Sequence, residues 1–160
     1  MSMQRKLLHY KAERCMDCHA CEVACKVEHN LPVGVNRARI VAEGPAADNG
    51  GLKRILKRIA CRHCTDPPCT EVCPTSAISK RKDGIVFIDR ARCNGCQLCA
   101  SVCPYDAIEF RPDNNLAEIC DLCAGRLDQG LSPFCLQYCM GDCIFFGTED
   151  EFKKRYEVDK

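Results

Sequence analysis

The chain has 160 residues and a formal net charge of +1, so its length allows one domain or two small ones. Seventeen residues are cysteine, tryptophan is absent, and aromatic residues make up only 6% of the chain. This composition excludes a large conventional apolar core and fits either a disulfide scaffold or a dense set of metal sites. Metal clusters would replace part of the missing interior, and we expect no cooperative fold without them.

The first ten residues bear on the compartment. Their only apolar run is Leu7-Leu8, which is shorter than the core of a secretory signal peptide. No run in the chain is longer than Ile85 to Ile88, which is far too short for a transmembrane helix. We therefore expect a soluble, cytoplasmic protein with no membrane span, in a compartment where thiols stay reduced.

Sixteen of the cysteines form four groups of four. In chain order the groups are Cys15, Cys18, Cys21 and Cys25; Cys61, Cys64, Cys69 and Cys73; Cys93, Cys96, Cys99 and Cys103; and Cys120, Cys123, Cys135 and Cys139. Groups one and three share the spacing C-x2-C-x2-C-x3-C, and Pro104 follows the third. That spacing is the bacterial ferredoxin pattern for a 4Fe-4S cluster.

The spacing also has a geometric consequence. A tight loop with three thiolates reaches only three corners of a cubane cluster. The fourth corner lies beyond the loop, so the fourth cysteine of such a run ligates the neighbouring cluster in two-cluster ferredoxins. One group of this kind therefore predicts a second cluster nearby.

Between groups one and two we predict an antiparallel pair of strands. Val35 to Glu43 indicates a strand, Leu52 to Ala60 has strand or helix character that periodicity does not resolve, and Gly44 to Gly51 is the predicted loop. Basic residues cluster in this segment: Arg37, Arg39, Arg54, Lys57 and Arg58. Two interpretations are open for them, a solvated face, or a role in compensating charge or docking a partner.

A short phrase recurs at the end of three groups. Its copies are Cys73-Pro-Thr-Ser-Ala77-Ile78, Cys103-Pro-Tyr-Asp-Ala107-Ile108 and Cys139-Met-Gly-Asp-Cys143-Ile144. We expect Pro74 to start a helical turn that includes Ala77 and Ile78. A turn at residues 82–84 then leads into a strand from Ile85 to Ile88.

The repeat also bears on Cys143, the one cysteine outside the four groups. It stands where the other copies have Ala77 and Ala107, so we expect a small buried side chain that is not a ligand. The alternative is that Cys143 ligates iron in place of Cys139.

The C-terminal segment predicts a short helix. Thr148 and Glu151 have the spacing of a capping box, and the helix is expected to run through Tyr156. It is expected to be structural.

The remaining polar residues suggest no active site for making or breaking covalent bonds. Carboxylates are not paired, no serine has a neighbouring base, and no glycine-rich phosphate loop precedes a helix. The histidines are His9, His19, His29 and His63. His19 and His63 lie inside cysteine loops, where a hydrogen-bond donor near a sulfur can raise a cluster's potential.

Zinc sites and disulfides are the two alternatives to iron-sulfur clusters for so many cysteines. Structural zinc sites combine two separated cysteine pairs, whereas groups one and three each place three cysteines in one loop. Disulfides fit poorly with the odd cysteine count and with a reducing compartment.

Three features of the cysteine pattern are distinctive together. There are four such groups, the second has the pattern C-x2-C-x4-C-x3-C-P around Asp66-Pro67-Pro68, and the fourth has a long gap. Over residues 10 to 147 the chain resembles the four-cluster ferredoxin-like subunits of the dimethyl sulfoxide reductase family. Such subunits also serve formate dehydrogenases, hydrogenases, carbon monoxide dehydrogenase and tungsten aldehyde oxidoreductases. The resemblance implies an α+β fold of nested two-cluster ferredoxin modules with short helices and small antiparallel hairpins.

The resemblance also implies which cysteines share a cluster. Group one exchanges its fourth ligand with group four, and group two with group three. The implied sets are Cys15, Cys18, Cys21 with Cys139; Cys120, Cys123, Cys135 with Cys25; Cys61, Cys64, Cys69 with Cys103; and Cys93, Cys96, Cys99 with Cys73. Residues 55–112 would form an inner module, and residues 1–54 with 113–160 an outer one. Met140 departs from the proline often found at its position in the family.

The function implied is a relay of single electrons through four 4Fe-4S clusters, without substrate chemistry. The expected partners are a large catalytic oxidoreductase subunit with a molybdenum or tungsten pterin, and a flavoprotein subunit or soluble ferredoxin. A narrower expectation is a catalytic partner of the tungsten aldehyde oxidoreductase type. Self-association into a longer wire stays open, although no particular residue argues for it, and no nucleic acid is expected. The alternatives are a free-standing polyferredoxin and a multi-zinc interaction module.

Overall fold

The computed structural model of the chain describes residues 5–48 and 51–157. Its strands are β1 Leu7–Tyr10, β2 Ala38–Asp48, β3 Gly51–Ala60, β4 Ile78–Lys80, β5 Val86–Ile88, β6 Glu109–Phe110, β7 Ala117–Glu118 and β8 Ile144–Gly147. Its helices are α1 Ala20–His29, α2 Pro68–Glu71, α3 Leu98–Ser101, α4 Ala124–Leu127, α5 Phe134–Gln137 and α6 Glu149–Glu157, and a 3-10 turn spans Ala12–Arg14.

The strands pair two by two, and every pair is antiparallel: β1 with β8, β2 with β3, β4 with β5, and β6 with β7. The β1–β8 pair joins the two ends of the chain, with Leu7 opposite Gly147 and Tyr10 opposite Ile144. Short helices and small antiparallel pairs confirm the expected α+β fold class.

Most of the helices are single turns, and the sequence explains why. Helix α2 ends at Glu71 and α3 at Ser101, each two residues before a Cys-Pro step. Proline disfavours helical geometry in the residue before it, so neither helix continues through the fourth cysteine of its group. Each of these two turns is therefore long enough to carry one cysteine, Cys69 in α2 and Cys99 in α3.

The predicted strand pair between groups one and two is confirmed, and Leu52 to Ala60 lies within a strand. The predicted loop bounds are wrong, because β2 continues through Asp48. The register shifts between Glu43 and Ala46, where Gly44-Pro45 interrupts the ladder. Proline has no N–H to donate, and such an irregularity is where a strand tolerates it. The hairpin is therefore longer, and its turn shorter, than predicted.

The repeat after the fourth cysteines is visible in the backbone. Ser76, Asp106 and Asp142 occupy the same repeat position and have φ of +49°, +49° and +47°. In each copy this residue's N–H bonds the carbonyl of the cysteine three residues earlier. Because a left-handed residue cannot continue a right-handed turn, the helical turn expected through Ile78 is wrong, and Ile78 begins β4 instead.

The buried position of the repeat is as predicted. Ala77, Ala107 and Cys143 are 1%, 3% and 5% exposed. Cys143 therefore packs as a small interior side chain.

The predicted capping box is confirmed at the start of α6. The Thr148 N–H donates to Glu151 Oε2 at 2.8 Å, and the Glu151 N–H donates to Thr148 Oγ1 at 3.2 Å. At the other end of the helix, Tyr156 donates its hydroxyl proton to the Asp142 carbonyl at 2.8 Å. Helix α6 is thereby held against the last repeat copy.

The split into an inner module of residues 55–112 and an outer module stays a prediction. The β2–β3 hairpin crosses its first boundary and the β6–β7 pair crosses its second. Ala117 and Ile119, from the outer segment, pack in the same buried group as Val86 of the inner one. Between the two modules the core is therefore continuous.

Candidate metal centres

A backbone feature recurs in all four cysteine loops. The residue immediately before the second cysteine of each group has positive φ: Asp17 at +56°, His63 at +47°, Gly95 at +70° and Leu122 at +55°. Left-handed residues of this kind help backbone N–H groups line an anion-binding concavity, as at many iron-sulfur sites. In group two, for example, the His63 N–H points at Cys61 Sγ at 3.4 Å.

Groups two and three form two cavities, each lined by four cysteines. Cys61, Cys64, Cys69 and Cys103 line the first. Cys73, Cys93, Cys96 and Cys99 line the second. In both cavities three cysteines come from one group and the fourth from the other, and the other lining residues are largely apolar.

Groups one and four also approach each other. Helix α1, which carries Cys21 and Cys25, packs against α5, which carries Cys135. Burial raises the pKa of Cys25, and the neighbouring sulfurs of Cys120 and Cys135 raise it further. At the other end of this assembly, Cys139 Sγ lies 3.2 Å from Cys143 Sγ.

The thiols fit a polynuclear iron group on chemical grounds. Burial raises the pKa of Cys61 and of Cys123 to about 12, and that of Cys99 to about 11. Thiolates are good iron ligands, and a positive metal core is what would hold such buried sulfurs deprotonated at neutral pH.

The pKa of the Cys73 thiol is shifted in the opposite direction to those of Cys61, Cys99 and Cys123. Burial acts to raise the pKa of its thiol, but hydrogen bonds outweigh it and hold that pKa below the usual value. Thr75 Oγ1 lies 3.6 Å from Cys73 Sγ, and the Ala77 N–H donates to the same sulfur at 3.3 Å. The Cys143 N–H makes the matching bond to Cys139 Sγ at 3.2 Å. The repeat therefore supplies the same backbone donor to the fourth sulfur of two groups.

The five clustered basic residues do not share one environment. Arg54 and Lys57 are exposed and pair with surface carboxylates, so the solvated-face interpretation holds for them. Arg37 is buried and binds Glu118 at 2.8 Å. Arg39, which is half-buried, bonds Glu109 Oε1 at 2.7 Å.

Arg58 lies among cysteine sulfurs. Its Nε and Nη2 are shielded from solvent and have no hydrogen-bond partner among the described residues. Burial opposes the guanidinium charge, but the sulfurs of Cys120, Cys135 and Cys21 outweigh it and raise the pKa of Arg58. This cation therefore faces sulfurs of groups one and four together.

The histidine ring that lies closest to a cysteine sulfur belongs to neither of the two histidines that the sequence placed inside cysteine loops. His19 Nδ1 bonds Glu22 Oε1 at 2.9 Å. His63 Nδ1 accepts the Val86 N–H at 3.0 Å, so it has no proton to offer Cys61. His29 Nε2 lies 3.3 Å from Cys123 Sγ. The missed signal was the i, i+4 spacing of Cys25 and His29, which puts both on one face of α1.

Two of the seventeen cysteines are exposed, Cys18 and Cys96. They belong to groups one and three, and the other fifteen are half-buried or buried.

Among residues 5–48 and 51–157, no helix is long and apolar enough to cross a bilayer.

Comparison with known proteins identifies the class. A family model described as a 4Fe-4S dicluster domain matches residues 54–149. The thiosulfate reductase electron transfer subunit PhsB of Salmonella typhi is 37% identical over 153 residues, which cover 94% of this chain and 79% of that protein. The formate dehydrogenase iron-sulfur subunit of Wolinella succinogenes is 36% identical over 176 residues, which cover 94% of this chain and 85% of that protein.

The B subunit of the anaerobic dimethyl sulfoxide reductase of Escherichia coli K12 is 36% identical over 152 residues, covering 91% of this chain and 74% of that protein. This chain therefore belongs to the 4Fe-4S dicluster family of ferredoxin-like electron-transfer subunits. The resemblance drawn from the cysteine pattern is thereby confirmed, and the cofactors of this chain are 4Fe-4S clusters.

Proposed function

We propose that the chain relays single electrons through four 4Fe-4S clusters between a catalytic oxidoreductase subunit and a second redox partner. The observation that carries this proposal is the crossed arrangement of the cysteines, in which three sulfurs of one group meet the fourth sulfur of another. Each cluster, when bound, would take up and pass on one electron.

The proposed ligand sets define four sites. Site 1 is Cys15, Cys18, Cys21 and Cys139; site 2 is Cys25, Cys120, Cys123 and Cys135; site 3 is Cys61, Cys64, Cys69 and Cys103; site 4 is Cys73, Cys93, Cys96 and Cys99. Cys143 is not a ligand in this proposal, because it fills the alanine position of the repeat.

Contacts between the sites support the order 1-2-3-4. Burial raises the pKa of Cys21 to about 11, and Cys135 of site 2 is among the neighbours that add to the shift. Cys61 of site 3 packs against the buried group that contains Cys120 of site 2. Cys69 of site 3 packs against the group that contains Cys99 of site 4.

The two exposed cysteines fall at the ends of this order. Cys18 belongs to site 1 and Cys96 to site 4. A partner can approach an end site more closely than an interior one, so electrons would enter at one of these sites and leave at the other.

For the partners, we infer a catalytic subunit with a molybdenum or tungsten pterin. The relatives named above are subunits of a thiosulfate reductase, a formate dehydrogenase and a dimethyl sulfoxide reductase. They favour a partner of that kind over the tungsten aldehyde oxidoreductase type. The second partner would be a flavoprotein subunit or a soluble ferredoxin, and a cytoplasmic location stays a prediction.

The exchange of fourth ligands has a sharp test. In the complete complex, prepared without oxygen and reduced, Cys103→Ser should alter the same cluster signal in electron paramagnetic resonance as Cys64→Ser. Cys73→Ser should alter the same signal as Cys96→Ser. If Cys103→Ser instead altered the signal that Cys96→Ser alters, the crossed ligand sets would be wrong.

A second measurement addresses the partner. Affinity purification of the chain from its native cells should bring down a large pterin-containing subunit in stoichiometric amount. Recovery of the chain alone, with its clusters intact, would favour a free-standing polyferredoxin.

A further inference from the structure

His29 connects a cysteine sulfur to a buried network of charges. It is the last residue of α1, and its Nε2 lies 3.3 Å from Cys123 Sγ. Asp121 Oδ1 is the alternative acceptor, but it lies 3.7 Å from the same nitrogen, beyond hydrogen-bonding distance for oxygen. The sulfur is therefore the partner of Nε2.

The other ring nitrogen determines where the proton lies. Arg37 Nη1 is 3.0 Å from His29 Nδ1. A guanidinium group has only donors, so Nδ1 must accept and must carry a lone pair. A neutral imidazole has a single N–H, which then lies on Nε2 and donates to Cys123 Sγ. Arg37 thus fixes both the tautomer and the direction of the hydrogen bond.

Arg37 is itself held in place from the opposite side. Its Nε donates to Glu118 Oε2 at 2.8 Å, and its Nη1 lies 2.9 Å from Asp121 Oδ2. Glu118 is 1% exposed and also accepts from Arg90 and from Arg111. Asp121 in turn accepts the Cys123 N–H at 3.0 Å, so the same network orders the ligand loop.

We propose that His29, oriented by Arg37, hydrogen-bonds the Cys123 sulfur and raises the reduction potential of the cluster at site 2. The proposal rests on the proposed function, because it needs a cluster at that site. A hydrogen bond to a ligating sulfur stabilises the reduced cluster, which carries one more negative charge than the oxidised one. The potential of the site 2 cluster would then be higher than it would be without this hydrogen bond.

The test compares His29→Leu with His29→Gln in the complete complex. Leucine removes the donor, whereas glutamine keeps an amide N–H to donate to Cys123 Sγ and a carbonyl to accept from Arg37. Titration of the four reduced-cluster signals should show one midpoint potential lowered in His29→Leu and largely restored in His29→Gln. The other three potentials act as internal controls and should not move.

Two results would overturn the proposal while leaving the function intact. One is four clusters with unchanged potentials in His29→Leu. The other is an equal shift in both variants, which would indicate a packing effect. Absence of four clusters in the unmodified complex would instead contradict the proposed function itself.

A measurement on the unmodified protein covers the case in which His29→Leu does not assemble. With histidines labelled with 15N, pulsed electron paramagnetic resonance of the site 2 signal should detect coupling to a histidine nitrogen. His29→Gln should remove that coupling. A site 2 signal with no histidine coupling would refute the hydrogen bond.

Discussion

Glu118 lies at the centre of the buried charge network, and its substitution should cost more stability than that of any surface carboxylate. Its Oε2 accepts from Arg37 Nε at 2.8 Å, and its Oε1 accepts from Arg111 Nη1 at 3.2 Å and from Arg90. Burial alone would raise the pKa of Glu118, but Arg90 and Arg37 outweigh it and hold that pKa below the usual value. The carboxylate is therefore charged at neutral pH.

Glu118→Gln keeps the volume and one accepting oxygen but removes the negative charge. It also turns an amide group toward guanidinium groups that can only donate. Breaking one partner of a buried ion pair costs about 3–5 kcal/mol. At about 2–4 °C per kcal/mol for a chain of this size, the loss corresponds to a lowering of the apparent unfolding midpoint on the order of 10 °C.

The assay is thermal unfolding of the cluster-loaded protein under argon, followed by loss of the iron-sulfur absorbance. Because such unfolding is irreversible, the variants are compared at one fixed scan rate. Glu109→Gln is a matched control, since Glu109 lies directly opposite Glu118 in the β6–β7 pair and is more exposed. Its pair with Arg39 should contribute less than about 1 kcal/mol. Equal midpoints for the two variants would refute the reasoning about the network.

Cys143→Ala should retain all the iron of the unmodified protein, and iron loss equal to that of Cys139→Ala would make Cys143 a ligand. Gly95→Ala should destabilise the site 4 loop, because φ is +70° and the new Cβ would lie 2.6 Å from the Asn115 carbonyl oxygen. We expect the free energy of unfolding to fall by about 1–3 kcal/mol, which would be seen as an earlier loss of cluster absorbance on heating. Thr148→Ala should cost about 1 kcal/mol through the lost cap, measured by the same scan, with Thr148→Ser as the control that keeps it.

The sequence was sufficient to predict features that depend on local spacing. The cysteine intervals indicated the cluster loops, the alignment of Cys143 with Ala77 predicted its burial, and Thr148 with Glu151 predicted the start of α6. Each of these signals involves residues close in the chain, where backbone geometry limits the outcomes.

Other features depend on residues that meet only in the folded chain. The ion pair of Arg37 with Glu118 spans 81 positions, and the contact of His29 with Cys123 spans 94. The clustering of basic residues left open a solvated face, charge compensation or partner docking, and it could not separate buried Arg37 from exposed Arg54. The left-handed Ser76 was also missed, because serine carries no strong local signal for positive φ.

Four clusters on the sixteen grouped cysteines require a definite content of iron and sulfide. Iron and acid-labile sulfide should therefore be measured on protein purified without oxygen, together with zinc on the same sample. We expect about sixteen irons and about sixteen sulfides per chain, and no stoichiometric zinc. A preparation of intact protein with about eight irons, or with zinc in place of iron, would contradict it.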